Sequence, residues 1–201
     1  MEVPGAFDRR STAGTIMNPM MFLLRMLMRQ KGGGAMDPLH VSMTGVRMGE
    51  RFLQIGCYDT SLLAGLAAKV GLSGTAAVAA LDADDAKRAR AAGSKVGALI
   101  EIYDIERGRA WPIDDGQFDM IVVDDTTEGF AGLDADARQS CLRNALRAVR
   151  PGGRIEIVAR LKSEAPAYDP LSELSAAGFK PVRVLAERDR FRFLEGLRAA
   201  S

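Results

Sequence analysis

The sequence predicts an α/β protein: a doubly wound, seven-stranded, mainly parallel sheet with an antiparallel terminal strand and an N-terminal helical lid. Three observations carry this. After residue 50, short β-rich runs alternate with helical patterns, and such alternation implies a parallel sheet with helices on both faces. The run Arg51-Phe52-Leu53-Gln54-Ile55-Gly56-Cys57-Tyr58-Asp59-Thr60 reads as a buried strand, a tight turn and a helix start. The last two strand patterns are separated by only a few polar residues, so they should form an antiparallel hairpin.

Each element has a local reason. Phe52 to Gly56 is the first strand and Ser61 to Val70 the first helix, with Gly71 at the C-terminal glycine position. Thr75 to Leu81 is the second strand. Asp84 can cap a helix through Ala92, which Gly93 ends. Ala98 to Tyr103 and Phe118 to Val123 are the third and fourth strands. Ala135 to Val149 is the strongest helix: Cys141, Leu142, Ala145, Leu146 and Val149 recur at helical spacing, and Arg138, Arg143, Arg147 and Arg150 should face out. Pro151-Gly152-Gly153 stops it and turns into the fifth strand, Arg154 to Ala159. Asp169-Pro170 opens the last helix, and Gly178 follows its end. The hairpin strands are Val182 to Ala186 and Phe191 to Leu197.

Residues 1–48 read as a helical extension or lid and residues 49–201 as the main domain, with Lys31-Gly32-Gly33-Gly34 linker-like between them. Ile16 to Met28 is apolar but about 13 residues long and contains Arg25. A membrane-spanning helix needs roughly 20 residues, so no transmembrane segment is expected, and Met1-Glu2-Val3-Pro4-Gly5 does not open a signal peptide.

Composition excludes several classes. A chain of 201 residues with 47% hydrophobic content can bury a sizeable core. Its net charge of +1 gives no field favouring nucleic acid. With one histidine and two cysteines, no metal site is expected. Cys57 and Cys141 fall in a strand-end turn and a helix, so a reducing cytoplasm is the default compartment.

From about Arg51 onward the chain resembles the class I S-adenosylmethionine-dependent methyltransferases, whose domain is Rossmann-like. Five segments carry the resemblance: FLQIGCYDT at 52–60, VAALDADDAKRAR at 78–90, EIYDIERG at 101–108, WPIDDGQFDMIVVDD at 111–125 and LRAVRPGGRIEIVAR at 146–160. The terminal stretch AAGFKPVRVLAERDRFRFLEGLR is similar to that family's final helix and hairpin. The resemblance implies S-adenosyl-L-methionine as cofactor and S-adenosyl-L-homocysteine as product. It places Gln54, Gly56, Cys57, Tyr58 and Thr60 around the methionine end, Asp82 and Ala83 at the ribose, and Asp104 and Ile105 at the adenine. Asp124 would stand beside the methyl donor, touching cofactor or substrate.

The departures are specific. Gln54 stands where the family usually has an acidic residue, keeping a hydrogen bond but losing a charge. Tyr58 and Thr60 stand where it has glycines, which allow positive φ and close backbone approach; Thr60 or Asp59 could instead cap the helix. Asp82 also has a plainer reading, as a charge at a helix N-terminus beside Asp84 and Asp85.

For the methyl acceptor, the residues point to a small molecule. No Asn-Pro-Pro-Tyr run follows the fourth strand, where Asp124-Asp125-Thr126-Thr127 stands. No Asp-Asn pair follows the fifth, where Arg160-Leu161 stands. A Lys-Asp-Lys-Glu set assembled from Lys31, Asp124, Lys162 and Glu195 reads as coincidence at this charge balance. His40 is the candidate base, with Asp37 beside it. Met17, Met20, Met21, Phe22, Leu24, Met26, Leu27 and Met28 crowd one helix-length stretch, and methionine makes adaptable apolar surfaces. That stretch reads as a lid or a homodimer contact; its sharper reading is an apolar substrate pocket or a helix in peripheral membrane contact. The leading expectation is a methyltransferase acting on a small, lipophilic metabolite. The runner-up is a methyltransferase-like protein that binds a nucleoside or a protein partner without catalysis. A nicotinamide enzyme is disfavoured, because Gly-x-Gly-x-x-Gly spacing is missing.

Overall fold

The computed structural model describes residues 37–106, 108–161 and 168–200, and aspartate opens every helix among them. The helices are α1 (Pro38–Met43), α2 (Thr60–Val70), α3 (Ala83–Val96), α4 (Ala135–Ala148) and α5 (Pro170–Ala177). Asp37, Asp59, Asp82, Asp134 and Asp169 precede them, and each carboxylate accepts a first-turn backbone N–H. Those N–H groups have no partner inside the helix, so the caps fix where each helix starts.

The strands are β1 (Arg51–Ile55), β2 (Thr75–Ala80), β3 (Ile100–Asp104), β4 (Phe118–Asp125), β5 (Val149–Arg160), β6 (Val182–Arg188) and β7 (Phe191–Leu197). They form one seven-stranded sheet in the order β3-β2-β1-β4-β5-β7-β6. The pairs among β1 to β5 are parallel, and β7 lies antiparallel to both β5 and β6. The expected architecture is thus present, with the one reversed strand inserted between β5 and β6. Alternate residues along β1 serve opposite faces: Leu53 and Ile55 join the core under α4 and α5, and Phe52 joins the core under α1, α2 and α3. Burial on both faces is why the parallel strands are apolar along most of their length.

Several expectations need correction. The helix after β2 is capped by Asp82, not Asp84, and runs through Gly93 to Val96, with Gly97 in the left-handed conformation at its end. Gly93 serves close packing instead: a Cβ there would lie 2.7 Å from the Ala98 carbonyl oxygen. Pro151-Gly152-Gly153 is no separate turn but an irregularity inside β5, between the pairs Phe118–Val149 and Met120–Arg154. Arg138 does not face out. It is buried, ion-paired with Glu173 at 2.8 Å and stacked 4.7 Å above the Tyr168 ring centroid. The expected N-terminal helix at 16–28, the linker at 31–34, and Lys162 lie outside the described residues.

Glu156 of β5 carries a prediction of its own. It is fully buried, and neither carboxylate oxygen has a hydrogen-bond partner. Burial pushes its carboxyl up to about 8; nearby Arg154 and Lys69 pull down and Glu195 pushes up. The folded value lies above the ordinary 4.5, so the folded protein binds the extra proton. The stability this gives is complete below about pH 4.5, drains as pH rises and is gone above about 8. Glu156→Gln carries no charge to bury. It should therefore gain on the wild type across that window, by about 2 kcal/mol or more at pH 9. Parallel pH-stability curves from chemical denaturation would exclude this account.

Candidate active site

The sheet order places β1 between β2 and β4, and the helices leaving their carboxyl ends diverge. The α2 helix after β1 covers one face, and α4 after β4 covers the other. A crevice opens between two such strand ends, and that is where open α/β sheets bind ligands.

The turn after β1 forms one wall. Gly56 takes φ +71°, a conformation glycine adopts without penalty. Beneath the turn, the buried Gln54 amide donates from Nε2 to the Gly56 carbonyl at 3.0 Å. That bond fixes the amide's orientation, since its oxygen would repel the carbonyl. Gln54 Oε1 is left buried without a partner. Asp59, not Thr60, caps α2, accepting from Ser61 N at 2.8 Å and Ser61 Oγ at 2.5 Å. Thr60 is the first residue of the helix, half-buried.

Two buried carboxylates hold this turn. Asp124, fully buried near the end of β4, accepts from Tyr58 N and Asp59 N at 2.7 Å each through Oδ2. Its Oδ1 accepts from Thr126 Oγ1 at 2.6 Å and Thr126 N at 3.2 Å. Burial pushes the Asp124 carboxyl up, and the bonds from Asp59 and Thr126 oppose the shift. Asp85, also fully buried, accepts from Cys57 N and Leu81 N at 3.0 Å each and from Arg88 Nη2 at 2.7 Å. Arg88 Nε donates to the Cys57 carbonyl. Asp85 and Arg88 thereby tie the β1 turn to the β2 turn. Cys57 is enclosed in this lattice, and burial, with Asp124 and Asp85 near, pushes its thiol up to about 12. It is not a nucleophile.

At the next two strand ends lie the carboxylates expected at ribose and adenine. Asp82 uses Oδ1 to cap α3 through Asp85 N at 2.8 Å, and its side chain is 51% exposed. Its Oδ2 accepts no bond from the described residues. Ala83 follows, exposed, as the first residue of α3. Asp104 ends β3 with an exposed carboxylate. Ile105 is buried beside Leu81 and Trp111 in the core, its N–H donating to the Ala80 carbonyl at 3.2 Å.

His40 lies elsewhere, on α1 against the β6–β7 turn. It is 7% exposed, with Nε2 2.9 Å from Asp189 Oδ2 and its ring edge-on to Phe191 at 5.3 Å. A carboxylate only accepts, so the ring nitrogen bonded to Asp189 carries a hydrogen. Phe191 pairs with Arg160 at the carboxyl end of β5, which puts the dyad on the same edge of the sheet as the crevice.

Sequence reasoning missed the Asp85–Arg88 brace and a second one behind β4. Asp125 accepts from Ala131 N at 2.9 Å and from the Tyr168 hydroxyl at 3.1 Å. Burial raises its carboxyl to about 6. The spacing of Asp85 and Arg88, three apart on a helix, was the available signal; nothing local links Asp125 to Tyr168. Among the described residues, no group of three potential ligands could hold a metal, and no helix is long and apolar enough to cross a membrane.

These features define a class first: a doubly wound α/β domain with exposed carboxylates at the ends of β2 and β3 and an unpartnered amide oxygen under the β1 turn. S-adenosylmethionine makes matching demands, with ribose hydroxyls, an adenine amino group and an ammonium that donate. The Tyr58 ring leaves the β1 turn and lies against Gly56 and Gly129. Residues 53–157 match the family described as "Methyltransferase domain". The chain belongs to this family of class I methyltransferases, and S-adenosylmethionine is its cofactor. Solved structures show the same fold. A SAM-dependent methyltransferase from Aquifex aeolicus is 20% identical, with 81% of this chain and 90% of that one aligned at a TM-score of 0.63. The 4+2 cyclase SpnF is 14% identical over 91% of this chain and 95% of that one, at 0.64. A SAM-dependent O-methyltransferase from Thermotoga maritima is 18% identical over 81% and 64%, at 0.55. No curated protein sequence matches significantly.

Proposed function

We propose that this methyltransferase acts on a small, lipophilic metabolite. Asp82 Oδ2 takes the ribose hydroxyls, Asp104 the adenine amino group, and Gln54 Oε1 the ammonium, while Gly56 and Thr60 shape the methionine end. Asp124 works through the backbone: by holding Tyr58 N and Asp59 N it positions the turn. The bound cofactor supplies an electrophilic methyl for in-line displacement, and the protein's task is to align the acceptor and exclude water.

The observation that carries the acceptor class is the His40–Asp189 dyad lined by Phe191 and Phe193. It offers a base in an apolar setting on the crevice side of the sheet. A base is needed when the attacking group must lose a proton, and a positioned one contributes about 10²–10⁴-fold. His40→Ala should lower kcat within that range with little change in KM, and Asp189→Asn should give a smaller loss. An unchanged kcat in the alanine variant would remove the base assignment.

The acceptor class is tested by supplying methyl-labelled cofactor with cell extract. Label should enter the organic-soluble small-molecule fraction in an enzyme-dependent way. Label confined to protein or nucleic acid would contradict the reading.

A further inference from the structure

We propose that Tyr58 is a gate on the cofactor crevice, closed in this structure and displaced when cofactor binds. The inference rests on reading the crevice as the S-adenosylmethionine site.

The ring leaves the β1 turn and reaches the loop after β4. A Cβ built on Gly56 would lie 2.8 Å from Tyr58 Cε2, and one on Gly129 only 2.2 Å from Cζ. Both are distances that real side chains do not occupy, so the ring seats where two glycines alone permit it. It therefore spans the gap between the carboxyl ends of β1 and β4, the gap in which an open α/β sheet binds its ligand. A ring and a ligand cannot share that volume.

In the closed seat the ring packs against the core under α4 and α5 but takes no hydrogen bond from the described residues to lock it. Arg88 Cζ stands 5.8 Å from the ring centroid, a cation–π contact of modest strength at a part-exposed site. The phenol is half-buried, and its hydroxyl takes no bond from the described residues. The backbone beneath it is fixed instead: Tyr58 N is tied to Asp124 at 2.7 Å. Rotation of the side chain thus opens the crevice without moving the turn, and the Asp124 and Asp85 braces remain intact in both states. A closed fraction of about nine-tenths would weaken apparent affinity about tenfold.

The test is calorimetric titration of the full chain with S-adenosylhomocysteine, comparing wild type with two variants. Tyr58→Ala removes the ring. Gly129→Ala leaves Tyr58 in place but puts a methyl group in its seat. Both should bind about tenfold or more tightly than wild type, with thermal melting reporting that each is folded; Gly129→Ala carries the test should Tyr58→Ala fail to fold. Tyr58→Phe should bind like wild type, because the ring and not the hydroxyl fills the crevice. Equal or weaker binding by the folded variants would overturn the gate while leaving the cofactor site in place. No binding by wild type or variants at millimolar ligand would overturn the cofactor reading, and the gate with it.

Discussion

Asp124→Ala should be strongly destabilising. It would strip the partner from Tyr58 N, Asp59 N, Thr126 N and Thr126 Oγ1 at once. Bonds to an ionised acceptor are the stronger kind, and a buried donor left unpaired bears its full desolvation cost. The expected loss is about 3 kcal/mol or more of unfolding free energy. S-adenosylhomocysteine binding should fall with it, because the turn that frames the crevice is no longer held. Asp124→Asn should do little better: its amide NH₂ must face one of the two donor pairs. Chemical denaturation of both variants checks this, and an asparagine variant of wild-type stability would show that the carboxylate is not needed.

Asp82→Ala should weaken S-adenosylhomocysteine binding by roughly tenfold or more, the loss of a charge-assisted hydrogen-bond pair. The same change removes the cap of α3, made through Oδ1, for about 1 kcal/mol of stability. Asp82→Ser separates the two effects. Serine caps helices well but cannot take two ribose hydroxyls on a carboxylate, so stability should be largely kept while affinity is lost. Calorimetry on the serine variant decides the matter: wild-type affinity there would reduce Asp82 to a helix cap.

The sheet was legible because its signals are local and periodic. The runs 52–56, 75–81, 118–123 and 154–159 are mostly apolar on both faces, as buried parallel strands are, and each falls on or within a residue of an observed strand, the fifth of which starts earlier, at Val149. The strand ends that frame the crevice were legible for the same reason. The errors came where a local signal had two meanings. Gly93 looked like a helix stop because glycine usually is one, but here it serves a close approach to Ala98. Arg138 looked like a solvated residue on a polar helix face until α5 brought Glu173 and the 168 segment brought Tyr168 against it. The braces were at most half legible: the i,i+3 spacing of Asp85 and Arg88 shows their pairing, but Asp85 meets Cys57 and Asp125 meets Tyr168 only through the tertiary fold. Tyr58 shows the mixed case. Its presence in place of a glycine was visible in the sequence; its seat between Gly56 and Gly129 was not.

The most direct test of the central claim is titration of the wild-type protein with S-adenosylhomocysteine, repeated with Tyr58→Ala and Asp82→Ser. If the crevice between β1 and β4 is the cofactor site, one ligand binds per chain, more tightly when the ring is removed and more weakly when the carboxylate is. Absence of binding in the wild type and in Tyr58→Ala at millimolar ligand would contradict the account and direct attention to a methyltransferase fold used without its cofactor.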